Sequence, residues 1–539
     1  KAIDRICDYN LKNLMIVQQI CRKIAGFFNT SLIKIWLFSL LFKLFLVFSY
    51  KSVPYDKFTS ILDITRELPL RQWYYKEIEF SPLFMYFQYF IARCIPKDVE
   101  NAHMSMIYRK LSVILSEFVL VLILNLYSTD KYNLLISASI ILNPCIFLLD
   151  HIYYGYKGFV YGFLILSIIQ LQKEKYLKTG FLFALTVSLN KGFICLIPCF
   201  GIVLIRSYCL NIVKFEFKTY LSLLKVIKWL NLLKLGSVII LGLMIPILPF
   251  VYQNATWNDF KQVYRKIFPS KSLLISDEQS TPNVWVLYSF LDRVLTQMLK
   301  YFQKVNKFDY FKNHKIMDII ETNELIQSKN TFNILPPIEP IINFYFTSFY
   351  QSLAIIPLFF NCNFKRFIGS LTLCCYSNYL FGRNIISTEI LIIIIPFSFL
   401  IIFDKRLLTP FMLLTSSGIV SIFPLINSSE LFLLKITYTT LWMIIFYLSF
   451  NHSIKNNDEN RRVWFFDRLS MIYIVSLFPM IIVYGIFNTF EFKGKKYKHI
   501  ALLIYNCYCS LGIITSWFGL SWLYNFDEHM WTWGLFFLL

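Results

Sequence analysis

Apolar residues come in long continuous blocks separated by short polar intervals, and that pattern governs the fold. The first block, 32–50, is broken only by Lys34 and Lys43. Others run over 111–126, 133–149, 158–171, 235–252, 341–361, 367–382, 389–404, 408–426, 431–450, 469–487 and 500–524, and two shorter ones flank Asn190-Lys191. Blocks of roughly 17 to 25 residues span about 30 Å of hydrocarbon as helix. Lipid-exposed backbone must satisfy its own hydrogen bonds, so helix is the form expected. Continuous runs, rather than a period of two, argue against a transmembrane β-barrel. The stretch 82–95 is too short for a firm span, and 283–299 is amphipathic with Asp292 and Arg293 inside. The expectation is an all-α, polytopic transmembrane helical bundle of about 11 to 13 spans. It divides into an N-terminal segment 1–31, a transmembrane module 32–252 with a polar loop 51–110, a polar region 253–340 and a second module 341–539.

Charge sets the orientation. The formal net charge is +21, which in a soluble protein points to nucleic acid. Here the basic residues cluster at the ends of apolar blocks, as at 173–178 and 493–498, where they set topology against anionic lipid. Membrane lipid, not nucleic acid, is the partner expected. The basic excess over 1–31 places that end in the cytoplasm and the loop 51–110 on the opposite, lumenal side. No cleavable signal peptide is evident, and opening on Lys1 leaves the true N-terminus open. Twelve cysteines form no CxxC pair and six histidines are scattered, so no metal site is expected.

Candidate chemistry gathers in the loop 51–85, which holds five Lys/Arg, five Asp/Glu and the interfacial aromatics Trp73, Tyr74 and Tyr75. A carboxylate there can act as general base toward an acceptor hydroxyl, and a nearby cation can hold a phosphate leaving group. Asp63, Arg66 and Glu67 share helical spacing and read equally as the wet face of an interface helix. Asp56 and Glu79 stand beside Pro54 and Pro82, outside that pattern. Asp150-His151 closes a span, either capping and snorkelling there or lining a site. Lys191 lies between two apolar segments, as an anchor or a site cation. The acids gather in loops rather than in the spans, and no internal repeat is visible, so a transporter or flippase finds little support.

Several segments resemble the dolichyl-phosphate-glucose-dependent α-1,3-glucosyltransferases of endoplasmic-reticulum N-glycan assembly, most nearly the branch adding the second glucose. They are Ile64-TRELPLRQWYY, Asp150-HIYYGYKGFVYG, Arg206-SYC, Ile267-FP, Pro282-NVWVLY, Leu335-PPIEP, Leu380-FG and Tyr508-CSLGIITSWF, in the family's order. The resemblance implies a GT-C glycosyltransferase fold in the endoplasmic-reticulum membrane with a lumenal active face. It also implies glucose transfer from dolichyl-phosphate-glucose to a glucosylated dolichyl-diphosphate-linked oligosaccharide, inverting and without a cofactor. On that pattern Asp56 is the base and Glu79 assists. Asp150, His151 and Tyr156 line the site, and Lys191 or Arg383 neutralises the leaving phosphate. The chain departs from the pattern in four places, one of them Glu79-FSP, which keeps an acid and one proline of the family's DYPP. Pro54 stands where the first-loop acid is expected, Gly155 and Lys157 replace amide residues, and Arg383-NIIST replaces a His/Glu/Lys cluster. These departures keep a second reading open, a catalytically inactive relative that binds lipid-linked sugar or partner enzymes.

Overall fold

The computed structural model describes residues 30–49, 54–76, 78, 80–94, 102–210, 227–253, 256–268, 281–305, 332, 334–382, 385–426, 431–454, 464–489 and 495–527. Side chains at some helix ends, that of Asp56 among them, lie outside this description. Every regular element among the described residues is helical. Eight of these helices are long and apolar enough to cross a membrane: Ile107–Tyr127, Lys131–Ile152, Lys191–Leu210, Pro340–Phe360, Lys405–Leu425, Phe432–Ser453, Phe466–Phe487 and Ile500–Phe526. Four shorter apolar helices join them. The protein is an all-helical, multi-pass membrane protein.

Two compact units divide the chain. The first comprises Lys1–Tyr55 and Ile95–Leu166, the second Asp56–Cys94 and Ser167–Leu539.

In the first unit, helix Ser31–Ser49 packs on helices Ala102–Tyr127 and Lys131–Ile141. Trp36 meets Phe118 at 5.2 Å between ring centres, and Phe42 stacks on Phe147 at 5.8 Å. Its opposite face leaves Phe38, Leu41 and Phe45 largely exposed, as expected of side chains that contact lipid. The block expected as one span over 133–149 is interrupted. Helix Lys131–Ile141 ends, Asn143 accepts the N–H of Cys145, and Pro144 opens a short second helix. Proline suits the first turn of a helix because its missing N–H is not needed there. A single π-helical turn, Leu148–Ile152, then carries Asp150 and His151.

In the second unit, the polar loop folds as short helices around an apolar kernel. Helix Pro54–Glu67 puts Asp63 and Glu67 outward and Ile61, Leu62 and Thr65 inward, the amphipathic arrangement their spacing gives. A 3-10 turn, Leu70–Tyr75, and helix Pro82–Cys94 follow. Ile61, Trp73, Tyr74, Met85, Phe250 and Ile267 pack into one core. Tyr75 donates to the Asp259 carboxylate at 2.8 Å. Asp259 also accepts the N–H and hydroxyl of Thr256 at 2.7 and 2.9 Å, closing the first turn of helix Trp257–Ile267. Those bonds, the Thr256 N–H first and the Tyr75 hydroxyl next, hold the Asp259 carboxyl below its ordinary value. Pro246 and Pro249 split the block 235–252 into helices Trp229–Met244 and Leu248–Tyr252, because proline inside a helix removes a donor and clashes with the preceding turn.

The deepest part of this unit is formed by helices Phe364–Phe381, Leu391–Leu400, Leu408–Val420 and Lys495–Phe526. All ten residues of Leu391–Leu400 are buried. Helices Phe432–Ser453 and Phe466–Phe487 are mainly exposed yet apolar, which marks them as lipid-facing. One lysine inside this apolar region is bonded to backbone carbonyls. Lys435 donates to the carbonyls of Ile426 at 2.6 Å and Phe423 at 3.4 Å.

Candidate functional site

The first unit holds a buried charged cluster drawn from three separated segments. Glu117 sits midway along the span Ile107–Tyr127 and is 0% exposed. One carboxylate oxygen takes the Lys43 ammonium at 2.5 Å, and the other bonds His151 Nε2 at 2.9 Å. Lone charges in hydrocarbon cost roughly 2.5–3.5 kcal/mol or more each. Pairing with full hydrogen bonding is what makes this burial tolerable. A carboxylate only accepts, so the ring nitrogen facing it, Nε2, is the donor.

Beside this cluster the chain turns sharply. Asp150, 0% exposed, accepts the N–H groups of Lys157 and Gly158 at 2.5 and 2.6 Å. It thereby caps helix Lys157–Gln172 at the end where N–H groups lack intrahelical partners. Tyr154 and Tyr156 carry φ of 57° and 49°. Left-handed backbone costs roughly 1–2 kcal/mol per residue for side chains of this kind, and such strain clusters at functional sites. A π-helical turn within an apolar span has the same association. Tyr156 is held by Ser112, oxygen to oxygen 3.0 Å. Gly158 leaves little room for a side chain, since a Cβ there would lie 3.0 Å from Asp150 Oδ2 and 3.4 Å from Glu117 Cγ.

A small crevice opens on this arrangement, lined by Lys43, Lys110, Val113, Ile114, Asp150, His151 and Tyr154. Lys110, Val113, Ile114 and Glu117 fall at i, i+3, i+4 and i+7, one stripe of a single helix. The crevice volume is about 10 Å³, room for roughly one water-sized group rather than a sugar ring.

The second unit contributes a different polar site. Lys191 donates to the carbonyl of Ile267 at 3.0 Å, placing its ammonium at the C-terminal end of helix Trp257–Ile267. Asn190 accepts the N–H of Gly192 at 3.0 Å. The carboxylate of Glu389 lies over this turn, 3.3 and 3.4 Å from where a Cβ on Gly192 would stand. The nearby short sequence matches are tied to one another. Trp285 donates to the Phe381 carbonyl at 3.1 Å, Tyr288 to the Pro336 carbonyl at 2.9 Å, and Thr281 to the Ile385 carbonyl. Asp292 accepts the N–H groups of Ile334 and Leu335, each at 2.9 Å.

Of the residues singled out from sequence, Asp150 and His151 meet at the crevice, Tyr156 buttresses the same turn, and Lys191 belongs to the second unit. Asp56 occupies helix Pro54–Glu67, but its side chain lies outside the described residues, as do Glu79 and Arg383 altogether. Asp150 caps a helix, one of its two sequence readings, but from the interior rather than at a wet rim. The expectation that the acids gather in loops is corrected by Glu117, an acid in the middle of a span. Lys43 and Lys110 were likewise missed as site residues. The available signal was one acid, Glu117, in one apolar block and two lysines, Lys34 and Lys43, in another, because the cost of each lone charge in hydrocarbon favours pairing. Among the described residues no group of three or more His, Cys, Asp or Glu converges as a metal site.

Fold and buried chemistry together define a helical membrane protein with polar sites built into its spans. Residues 39–520 match the model of the ALG6, ALG8 glycosyltransferase family, and the chain belongs to that family. It is 37% identical over 541 aligned residues to the dolichyl pyrophosphate Glc1Man9GlcNAc2 alpha-1,3-glucosyltransferase of Saccharomyces cerevisiae, covering 93% of this chain and 92% of that protein. Proteins of the same name from Candida glabrata and Kluyveromyces lactis are each 36% identical over 93% of this chain, with 97% and 95% of their own lengths covered.

Proposed function

We propose that the protein transfers glucose from dolichyl-phosphate-glucose to a dolichyl-diphosphate-linked oligosaccharide that already carries one glucose, forming an α-1,3 bond. The reaction belongs to protein N-glycosylation, at the lumenal face of the endoplasmic-reticulum membrane. One observation carries this reading: end-to-end similarity to relatives whose names specify the Glc1Man9GlcNAc2 acceptor and the α-1,3 bond. An acceptor bearing one glucose makes this the second glucosylation.

A β-linked donor and an α-linked product require inversion, hence a single base-assisted displacement without a glycosyl-enzyme intermediate. Asp56 is the proposed base, with Glu79 positioning the acceptor. Asp150, His151 and Tyr156 are proposed as substrate-binding residues. Lys191 spends one ammonium donor on Ile267 and keeps others for the leaving phosphate. Arg383 is the second cation proposed for that role. A fixed cation beside developing phosphate charge lowers the barrier. The chemistry as proposed draws on side chains and the two lipid-linked substrates, with no further cofactor.

The test is a transfer assay in microsomes from cells lacking their own second-glucose enzyme. Labelled glucose should pass to the Glc1Man9GlcNAc2 acceptor and not to Man9GlcNAc2. Asp56→Ala should abolish transfer at unchanged protein abundance, and full turnover in that variant removes Asp56 from the mechanism. A non-catalytic relative that binds lipid-linked sugar or partner enzymes is favoured by the run after Leu380-FG, where Arg383-NIIST replaces the His/Glu/Lys cluster of the family pattern. Absence of transfer from well-expressed protein would establish that alternative.

A further inference from the structure

We infer that the crevice of the first unit is a subsite for one sugar hydroxyl. Nδ1 of His151 is its acceptor, and Glu117 is the positioning residue that decides which ring nitrogen carries the proton. This deepens the glucosyltransferase reading and rests on it.

Three observations support the assignment. The volume of about 10 Å³ admits one oxygen and its hydrogen but not a ring. The walls carry both kinds of hydrogen-bonding group, the donors Lys43 and Lys110 and the acceptor Asp150, with His151 beside them. A hydroxyl does both and fits, whereas a phosphate can only accept and an ammonium can only donate. His151 is fixed from behind by Glu117 at 2.9 Å, while Lys43 at 2.5 Å balances the carboxylate charge. With the ring neutral, as the proposed subsite requires, the three groups carry no net charge. Among the described residues Glu117 meets only these two partners through its carboxylate, so its chemistry is spent on orientation. Glu117 is 0% exposed, which keeps it from touching any substrate directly.

A bound water offers the same chemistry as a sugar hydroxyl, and deoxy substrates separate the two. In the microsomal assay, wild type, Glu117→Gln and His151→Phe are each given dolichyl-phosphate-linked glucose and its 2-, 3-, 4- and 6-deoxy forms. They are also given the oligosaccharide acceptor with its terminal glucose deoxygenated at each position in turn. A site built to bond a hydroxyl discriminates strongly against its removal. Wild type should lose about tenfold or more in kcat/KM for one deoxy substrate, and His151→Phe should show little further loss for that same substrate. Glu117→Gln lets the amide donate to Nε2 and moves the proton to Nδ1, so it should erase the same discrimination. Parent-substrate turnover in Glu117→Gln should fall by about tenfold, the size expected when an orienting partner is lost.

Equal losses for every deoxy substrate in wild type and both variants would overturn the subsite and leave water as its occupant. Unchanged discrimination in Glu117→Gln would overturn the positioning role. Should His151→Phe fail to accumulate, the near-isosteric Glu117→Gln makes the same comparison. A wild-type protein that transfers nothing from the parent donor overturns the functional reading and this subsite together. Wild-type transfer with equal losses overturns the subsite alone.

Discussion

Lys43 and Glu117 neutralise each other where neither could stand alone. Lys43→Met would strand a buried carboxylate, and breaking a buried pair from one side costs roughly 3–5 kcal/mol. The unfolding midpoint in detergent should fall accordingly. The double change Lys43→Met with Glu117→Leu should recover most of that loss, because an apolar pair of similar volume is often neutral in such a site. Equal midpoints for Lys43→Met and wild type would show that the pair does not form. Gly158 offers a second check. A methyl group there meets Asp150 at 3.0 Å, so Gly158→Ala should cost about 1–3 kcal/mol by crowding, read by the same midpoint. From sequence, Asp150 and His151 stood out because they interrupt the end of an apolar block. Glu117 did not, because a single charge inside a long apolar run leaves the hydropathy of the block almost unchanged.

Helices in this chain stop where local chemistry stops them. Helix Trp257–Ile267 starts on the Thr256–Asp259 pair, and Thr256→Ala should cost about 1 kcal/mol, seen as faster amide exchange over 257–267. The same helix should respond to acid with a definite sign. Asp259 has a folded carboxyl below its ordinary value, so its contribution is complete above the usual carboxylate range. It is lost as pH falls through that range to the lowered value. Amide protection over 257–267 should therefore hold steady from about pH 7 to 5 and weaken below about pH 4, and Asp259→Asn should flatten that response. Protection that rises on acidification would contradict the bonding. The breaks at Pro144, Pro246 and Pro249 are written in the sequence, although block length alone read each segment as continuous. The π-helical turn Leu148–Ile152 was not legible, since it depends on Asp150 reaching forward to Lys157 and Gly158. The wet face of helix Pro54–Glu67, by contrast, followed directly from the spacing of Asp63 and Glu67.

At the scale of the molecule, hydrocarbon removes most alternatives, because a chain that must satisfy its own backbone in lipid has few forms open to it. That is why the all-helical architecture could be read from apolar blocks alone. Exposed faces such as Leu433, Leu441, Ile444 and Leu448 then need no burial in protein, and their substitution by other apolar residues should leave stability within about 0.5 kcal/mol. Chemistry is less legible than architecture, because residues far apart in sequence must meet, as Lys43, Glu117 and His151 do. The decisive measurement is the composition of the lipid-linked oligosaccharide pool in cells that lack their own second-glucose enzyme and express this chain. The account predicts that Glc1Man9GlcNAc2 is converted to a species with one additional α-1,3-linked glucose. Persistence of Glc1Man9GlcNAc2 with the protein abundant in the membrane would contradict it.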